Sequence, residues 1–243
     1  MKKSKQRIVV KVGTSTLTHD SGALDLRSME RLVRTLADLQ GAGNEVILVT
    51  SGAIAVGQCR MMHIYDKLFS EYNRTVAQIL LTGDDVDDPD RAEHLSGTFS
   101  ALLEMGTIPI VNENDSVSSA EIETGHHKVL GDNDTLSAIV AKLCRADLLV
   151  LLSDIDGLYD ADPRSHPDAR LIHQVRELTP QILEMAGGAG SWRGTGGMAT
   201  KLSAAGIAMG AGCDMVITNG KRTEDLYGIV EGADIGTRFL AAR

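Results

Sequence analysis

Leu148-Leu-Val-Leu-Leu152 is a run without a single polar residue, and Val46-Ile-Leu-Val49 is a second. A half-solvated strand alternates apolar with polar, whereas a strand covered on both faces of a mainly parallel sheet reads as continuous apolar sequence. Working outward from these two, further strands are expected at Arg7–Val12, Thr75–Leu81, Thr107–Val111 and Asp214–Thr218, with the quoted runs extending to Glu45–Thr50 and Leu148–Ser153. Between them the apolar period changes to three and four. Met29, Leu32, Val33, Leu36 and Leu39 mark Leu26–Leu39 as an amphipathic helix, and 62–72, 92–105, 135–143 and 201–209 behave alike. Such alternation implies an α/β, three-layer sandwich with a mainly parallel central sheet and helices on both faces. Ser116–Lys128, polar and tipped by Gly125-His126-His127, reads as a hairpin or flap, and Asp154–Arg164 is rich in turn residues. No linker divides the 243 residues, so any two lobes share one sheet.

The composition narrows the function classes. A formal charge of −9 and only 3% aromatic residues argue against a nucleic-acid footprint or an anionic membrane surface. Three cysteines, Cys59, Cys144 and Cys213, form no CxxC pair, so neither a disulfide framework nor a zinc site is indicated and a reducing cytoplasm fits. The basic start, Met1-Lys-Lys-Ser-Lys-Gln-Arg7, resembles a signal-peptide n-region, but Lys11 interrupts the apolar residues behind it. Glycine, at 25 residues against 5 prolines, is in excess. Those glycines are expected to serve tight turns and close backbone approach rather than a flexible linker.

Four places combine glycine with small polar residues where strands are expected to end: Lys11-Val-Gly-Thr-Ser15, Thr50-Ser-Gly-Ala53, Gly131-Asp-Asn-Asp134 and Gly194-Thr-Gly-Gly-Met-Ala-Thr-Lys201. Ligands of open α/β sheets bind at the carboxyl ends of strands, where glycines admit phosphate to backbone N–H groups. Two of the four bring a lysine, which points to polyphosphate. The common phosphate motifs fail, however. Gly194–Lys201 has Ala199 where a Walker loop needs its second glycine, and its dinucleotide-like spacing follows Gly187-Gly-Ala-Gly-Ser-Trp-Arg193 rather than a strand. Protein-kinase HRD and DFG motifs are absent.

These segments, with Val49-Thr-Ser-Gly-Ala-Ile-Ala55, Val111-Asn-Glu-Asn-Asp115, Gly131-Asp-Asn-Asp-Thr-Leu-Ser-Ala138 and Leu151-Leu-Ser-Asp-Ile-Asp-Gly-Leu-Tyr159, resemble the amino-acid kinase family in content and order across essentially the whole chain. Asn112-Glu-Asn-Asp115 together with Gly194–Lys201 is the most specific pair, and is similar to the branch that phosphorylates the side-chain carboxylate of L-glutamate. Single pieces recur in branches acting on acetylglutamate, aspartate and uridylate. The resemblance implies a carbamate-kinase-like fold, with an acceptor lobe over about 1–145 and a nucleotide lobe over about 146–243. It also implies ATP and Mg²⁺, a role in proline biosynthesis with feedback inhibition by proline, a cytoplasmic setting, and a homo-oligomer, either dimer or tetramer.

Phosphoryl transfer asks a protein to align donor and acceptor and to neutralise charge. Lys11 and Lys201 are expected to bring two positive charges to the γ-phosphoryl group from opposite lobes. By the resemblance, Asp134 sits between them and orients both; by position it also suits the N-cap of the helix expected at 135–143. The resemblance further gives Ser51, Asp115 and Asn133 to the amino-acid acceptor. To the nucleotide it gives Lys11, Gly13, Ser153, Asp154, Thr195, Gly196, Gly197, Met198, Ala199, Thr200 and Lys201. Asp154 serves equally well as a turn former beside Asp156-Gly157. Mg²⁺ is implied to be held by phosphate oxygens, not a protein ligand set. Asp84, Asp85, Asp87, Asp88 and Asp90 lack the glycine and terminal Glu of a calcium loop and read as a solvated acidic turn, and His126-His127 as an exposed pair.

Three departures from the family pattern stand out. Gly57-Gln58-Cys59 follows the second strand's glycine turn at once, where the family normally runs through a longer connection. The expectation is that a segment is missing there. The flap Glu123–Leu130 is longer than usual. The chain ends at Arg243, just after the kinase-like region, so the expectation is either a kinase-only form or one shortened of the RNA-modification-type C-terminal domain that many members carry.

Overall fold

The structure, a computed structural model, describes residues 5–19, 21–50, 55–114, 132–185 and 197–242. The elements run β1 (Arg7–Val12), α1 (Thr14–Leu17), α2 (Leu26–Gly41), β2 (Glu45–Thr50), α3 (Ala55–Ser70), β3 (Val76–Leu81), α4 (Gly83–Asp87), α5 (Pro89–Glu104) and β4 (Ile108–Glu113). They continue with α6 (Asn133–Leu143), β5 (Leu148–Ser153), β6 (Gln174–Val175), α7 (Pro180–Met185), α8 (Met198–Gly210), β7 (Asp214–Asn219), α9 (Asp225–Glu231) and β8 (Thr237–Phe239). One sheet has the order β3-β4-β2-β1-β5-β7-β8-β6. Every pairing is parallel except β7 with β8. The carboxyl ends of β1, β2, β4, β5 and β7 therefore share one edge.

Strand alternation sorts the core into two layers. Ile8, Val10 and Val12 face α1, α2, α3 and α9 through Leu17, Met29, Leu32, Leu36, Tyr65, Phe69 and Ile229. Val9, Val49, Leu149, Leu151 and Ile217 face α5, α6 and α8 through Phe99, Leu136, Val140, Leu202 and Ala205. This is the expected three-layer sandwich, and the six expected strands are present with ends shifted by at most two residues. The short α1, α4, α7 and α9 and the strands β6 and β8 were not anticipated, because two to seven residues carry too little periodicity to read.

Among the described glycines, Gly43, Gly106, Gly212 and Gly232 have positive φ and follow the ends of α2, α5, α8 and α9, as tight turns. There the left-handed conformation closes a helix, which only glycine adopts without strain. The acidic stretch is not merely a solvated turn. Asp85 Oδ2 accepts from Thr82 N at 2.9 Å and Thr82 Oγ1 at 2.6 Å, and Asp88 caps α5 by accepting from the amides of Asp90 and Arg91.

Candidate active site

Period two along β1 puts Lys11 on the same sheet face as Val9, towards α6 and α8. Asp134 is the second residue of α6, and its side chain is 1% exposed. Lys201 lies in the first turn of α8 and is 5% exposed. The fold brings these three together: Lys11 Nζ stands 2.7 Å from Asp134 Oδ1, and Lys201 Nζ stands 3.0 Å from Asp134 Oδ2. Thr200 Oγ1 also donates to Oδ2, at 3.2 Å. Burial works to raise the Asp134 pKa, but the two ammonium groups outweigh it and hold the carboxyl below its ordinary range. The cluster is thus an ionised carboxylate clasped by two lysines, a local cationic site in an acidic protein.

The N-cap of α6 is Asp132, not Asp134. Asp132 Oδ1 accepts from the amides of Asp134 and Thr135 at 2.7 and 3.0 Å, while Ser137 Oγ donates to the Asp134 carbonyl at 2.6 Å. With the capping done next door, the Asp134 carboxylate is left for the lysines. Asn133, half-buried, begins the helix beside it. Nor does Lys201 open its helix: Met198 does, behind Gly197 at the N-cap. No side chain caps α8 among the described residues, so its first-turn N–H groups suit an anionic group.

Of the four glycine segments, those beginning at Lys11 and Thr50 follow β1 and β2, while Asp132–Asp134 and Gly197–Lys201 lead into helices α6 and α8. Gly13 caps α1 in an extended conformation, and a Cβ added there would lie 3.7 Å from Lys11 Nζ. Ser153 ends β5 and its hydroxyl donates to exposed Asp154 Oδ1 at 3.1 Å. Ser51, Asp115, Thr195 and Gly196 lie outside the described residues, as do the flap Glu123–Leu130 and His126-His127. Among the described residues no group of three His, Cys, Asp or Glu is placed to hold a metal. A cavity of about 870 Å³ lies at the opposite strand edge beside Lys5, Asp147 and Asp214, away from this cluster.

Sequence reasoning missed the contacts that Asn219 and Arg222 make with Asp156. Asn219 Nδ2 and Arg222 Nη2 both donate to Asp156 Oδ1 at 2.9 Å. Asp156 was legible only as a turn residue, and no spacing rule links it to positions beyond 200.

The model of the family described as "Amino acid kinase family" matches residues 6–56 and 53–219. The chain belongs to this family. Among amino acid kinase relatives, "Glutamate 5-kinase" of Clostridium perfringens (strain 13 / Type A) is 49% identical, over 99% of this chain and 97% of the relative. The protein of that name from Listeria monocytogenes serovar 1/2a is 47% identical, over 99% and 95%. Solved structures with the same fold include carbamate kinase from Giardia lamblia bound to AMP-PNP, with a TM-score of 0.68, 16% identity and full coverage of both chains. The UMP kinase from Bacillus anthracis gives 0.66 at 15% identity, covering 99% of this chain and 98% of that one. The alignment with the Clostridium relative runs over 264 positions, more than the 243 residues here, so that relative has residues without a counterpart in this chain. The two matched segments of the family model overlap at residues 53–56, and α3 runs uninterrupted through Gly57-Gln58. No helix among the described residues is long and apolar enough to cross a membrane.

Proposed function

We propose that this amino acid kinase transfers the γ-phosphoryl group of ATP to the side-chain carboxylate of L-glutamate, giving L-glutamyl 5-phosphate, the first step of proline biosynthesis. The observation that carries the reading is the Lys11–Asp134–Lys201 bridge at the carboxyl edge of the sheet. Phosphoryl transfer needs positive charge fixed where the equatorial oxygens of the moving group gather charge, before the reaction starts. Asp134 holds both ammonium groups in place, so little reorganisation is required when donor and acceptor arrive. Lys11 meets the group from the β1 end, beside Gly13, and Lys201 from the head of α8. The resemblance of the chain to proteins named glutamate 5-kinase supports glutamate as the acceptor.

Asn133 binds the acceptor at the head of α6, with Ser51 and Asp115 completing recognition of the α-carboxylate and α-ammonium groups. Ser153, Asp154, and the residues Thr195 to Lys201 hold the nucleotide. Mg²⁺ arrives with the nucleotide, held by phosphate oxygens and water, and neutralises phosphate charge. Proline acts as a feedback inhibitor, and the working form is a cytoplasmic homo-oligomer.

The deciding experiment offers glutamate, N-acetylglutamate, aspartate and UMP as acceptors with MgATP, following ADP release and trapping acyl phosphate with hydroxylamine. Hydroxamate is expected with glutamate. A product with acetylglutamate or aspartate in its place would reassign the acceptor, and none with any acceptor would leave a nucleotide-binding protein without this activity. A proline titration against glutamate that leaves the rate unchanged would reject the feedback proposal.

A further inference from the structure

Beyond the residues that the family motifs mark, the loop after β7 joins the two halves of the nucleotide edge. Asn219, the last residue of β7, stands in register with Ser153, the last of β5. The next amide, Gly220 N, donates to the Ser153 carbonyl at 2.7 Å. Asn219 Oδ1 accepts from Lys221 N at 3.0 Å, which turns the amide nitrogen towards Asp156. Arg222 then braces the same carboxylate from the other side of the loop, with its Nη2 at 2.9 Å from Asp156 Oδ1 and its Nε at 3.0 Å from Asp225 Oδ2. Hydrogen bonds from Asn219 and Arg222 hold the Asp156 carboxyl below its ordinary range, with Asn219 the larger cause. The turn that carries Asp154 is thus tied at Ser153 by backbone and at Asp156 by two side chains.

The other side of the loop meets the phosphate half. A Cβ on Gly220 would lie 2.8 Å from both Oγ1 and Cγ2 of Thr16 and 3.3 Å from Leu152 Cβ. Thr16 belongs to α1, the helix capped by Gly13 immediately after Lys11 and Val12. Close approach here requires glycine. Asn219, Gly220 and Arg222 therefore meet the Ser153–Asp156 turn, and Gly220 also packs against α1.

We propose that Asn219 and Arg222 are positioning residues for the nucleotide, acting through the Ser153–Asp156 turn. The proposal rests on the reading of that turn as part of the ATP site. Arg suits the task because its planar fork engages two carboxylates at once; a lysine in its place reaches one.

The test is calorimetric titration of MgADP, without acceptor, into the wild type and into Asn219→Ala, Arg222→Ala and Arg222→Lys, alongside KM values for ATP and glutamate and a melting temperature for each. Both alanine variants are expected to bind ADP five- to tenfold more weakly and to raise KM for ATP more than KM for glutamate, with Arg222→Lys in between. ADP affinity within twofold of wild type would overturn the proposal, and so would equal rises in both KM values with a lowered melting temperature. Since no acceptor enters the titration, a wrong acceptor leaves it intact; a wild type that fails to bind ADP overturns both it and the nucleotide reading.

Discussion

Lys201 Nζ lies 3.0 Å from Asp134 Oδ2 across 67 positions of sequence, and both side chains are almost wholly buried. A buried pair of this kind is costly to break from one side, since the survivor is left as an uncompensated charge. Asp134 answers for two cations. Asp134→Ala is therefore expected to lower stability by about 3–5 kcal/mol and to reduce turnover by at least about a hundredfold. Denaturant unfolding and steady-state kinetics check both.

Removing a lysine tests the catalytic half of the arrangement. Lys11→Ala and Lys201→Ala are each expected to cut kcat on the order of 10²–10³-fold, as loss of a preorganised electrostatic group does, with a smaller change in MgADP affinity by calorimetry. Near-normal kcat in either variant would remove that lysine from the mechanism.

Acid should act on the same cluster. The folded Asp134 carboxyl titrates below the ordinary aspartate value of 3.8, so its ionised form stabilises the fold fully at pH well above 3.8. That contribution declines as pH falls below 3.8 and is gone beneath the folded pKa. Denaturant unfolding repeated from about pH 6 to about pH 3 is expected to show a smaller acid loss of stability in Asp134→Asn than in the wild type, each measured from its own stability at the upper end of that range.

The three thiols should separate by burial. Cys59 is exposed, whereas burial pushes the thiols of Cys144 and Cys213 up to about 12. Because the thiolate is the reactive form, a thiol reagent at about pH 8 is expected to label Cys59 alone in native protein and all three after denaturation. Peptide mass mapping reads the difference.

Two glycines predict opposite signs. Gly236 has φ of +71°, and a Cβ there would fall 2.1 Å from the Ile217 carbonyl oxygen, so Gly236→Ala is expected to cost at least about 2 kcal/mol. Gly97 sits inside α5, exposed, with open space where a Cβ would stand and no positive φ. Gly97→Ala is expected to stabilise by about 0.5–1 kcal/mol. Urea midpoints compare the two.

The local pattern along the chain determined a good deal. Continuous apolar runs such as Leu148 to Leu152 announced buried parallel strands, the three-and-four spacing from Met29 to Leu39 announced a covering helix, and the family motifs singled out Lys11, Asp134 and Lys201. Each signal is legible because it is written within a few consecutive residues. What it cannot contain is a distance between residues far apart in the chain. The family resemblance already put Asp134 between the two lysines, but only the tertiary structure decided the 2.7 and 3.0 Å distances of that bridge, that Asp132, not Asp134, caps α6, and that Asn219 and Arg222 converge on Asp156. Those contacts arise where the carboxyl ends of β1, β5 and β7 meet the heads of α6 and α8, and the packing of helices on a shared sheet, rather than local propensity, sets that meeting point.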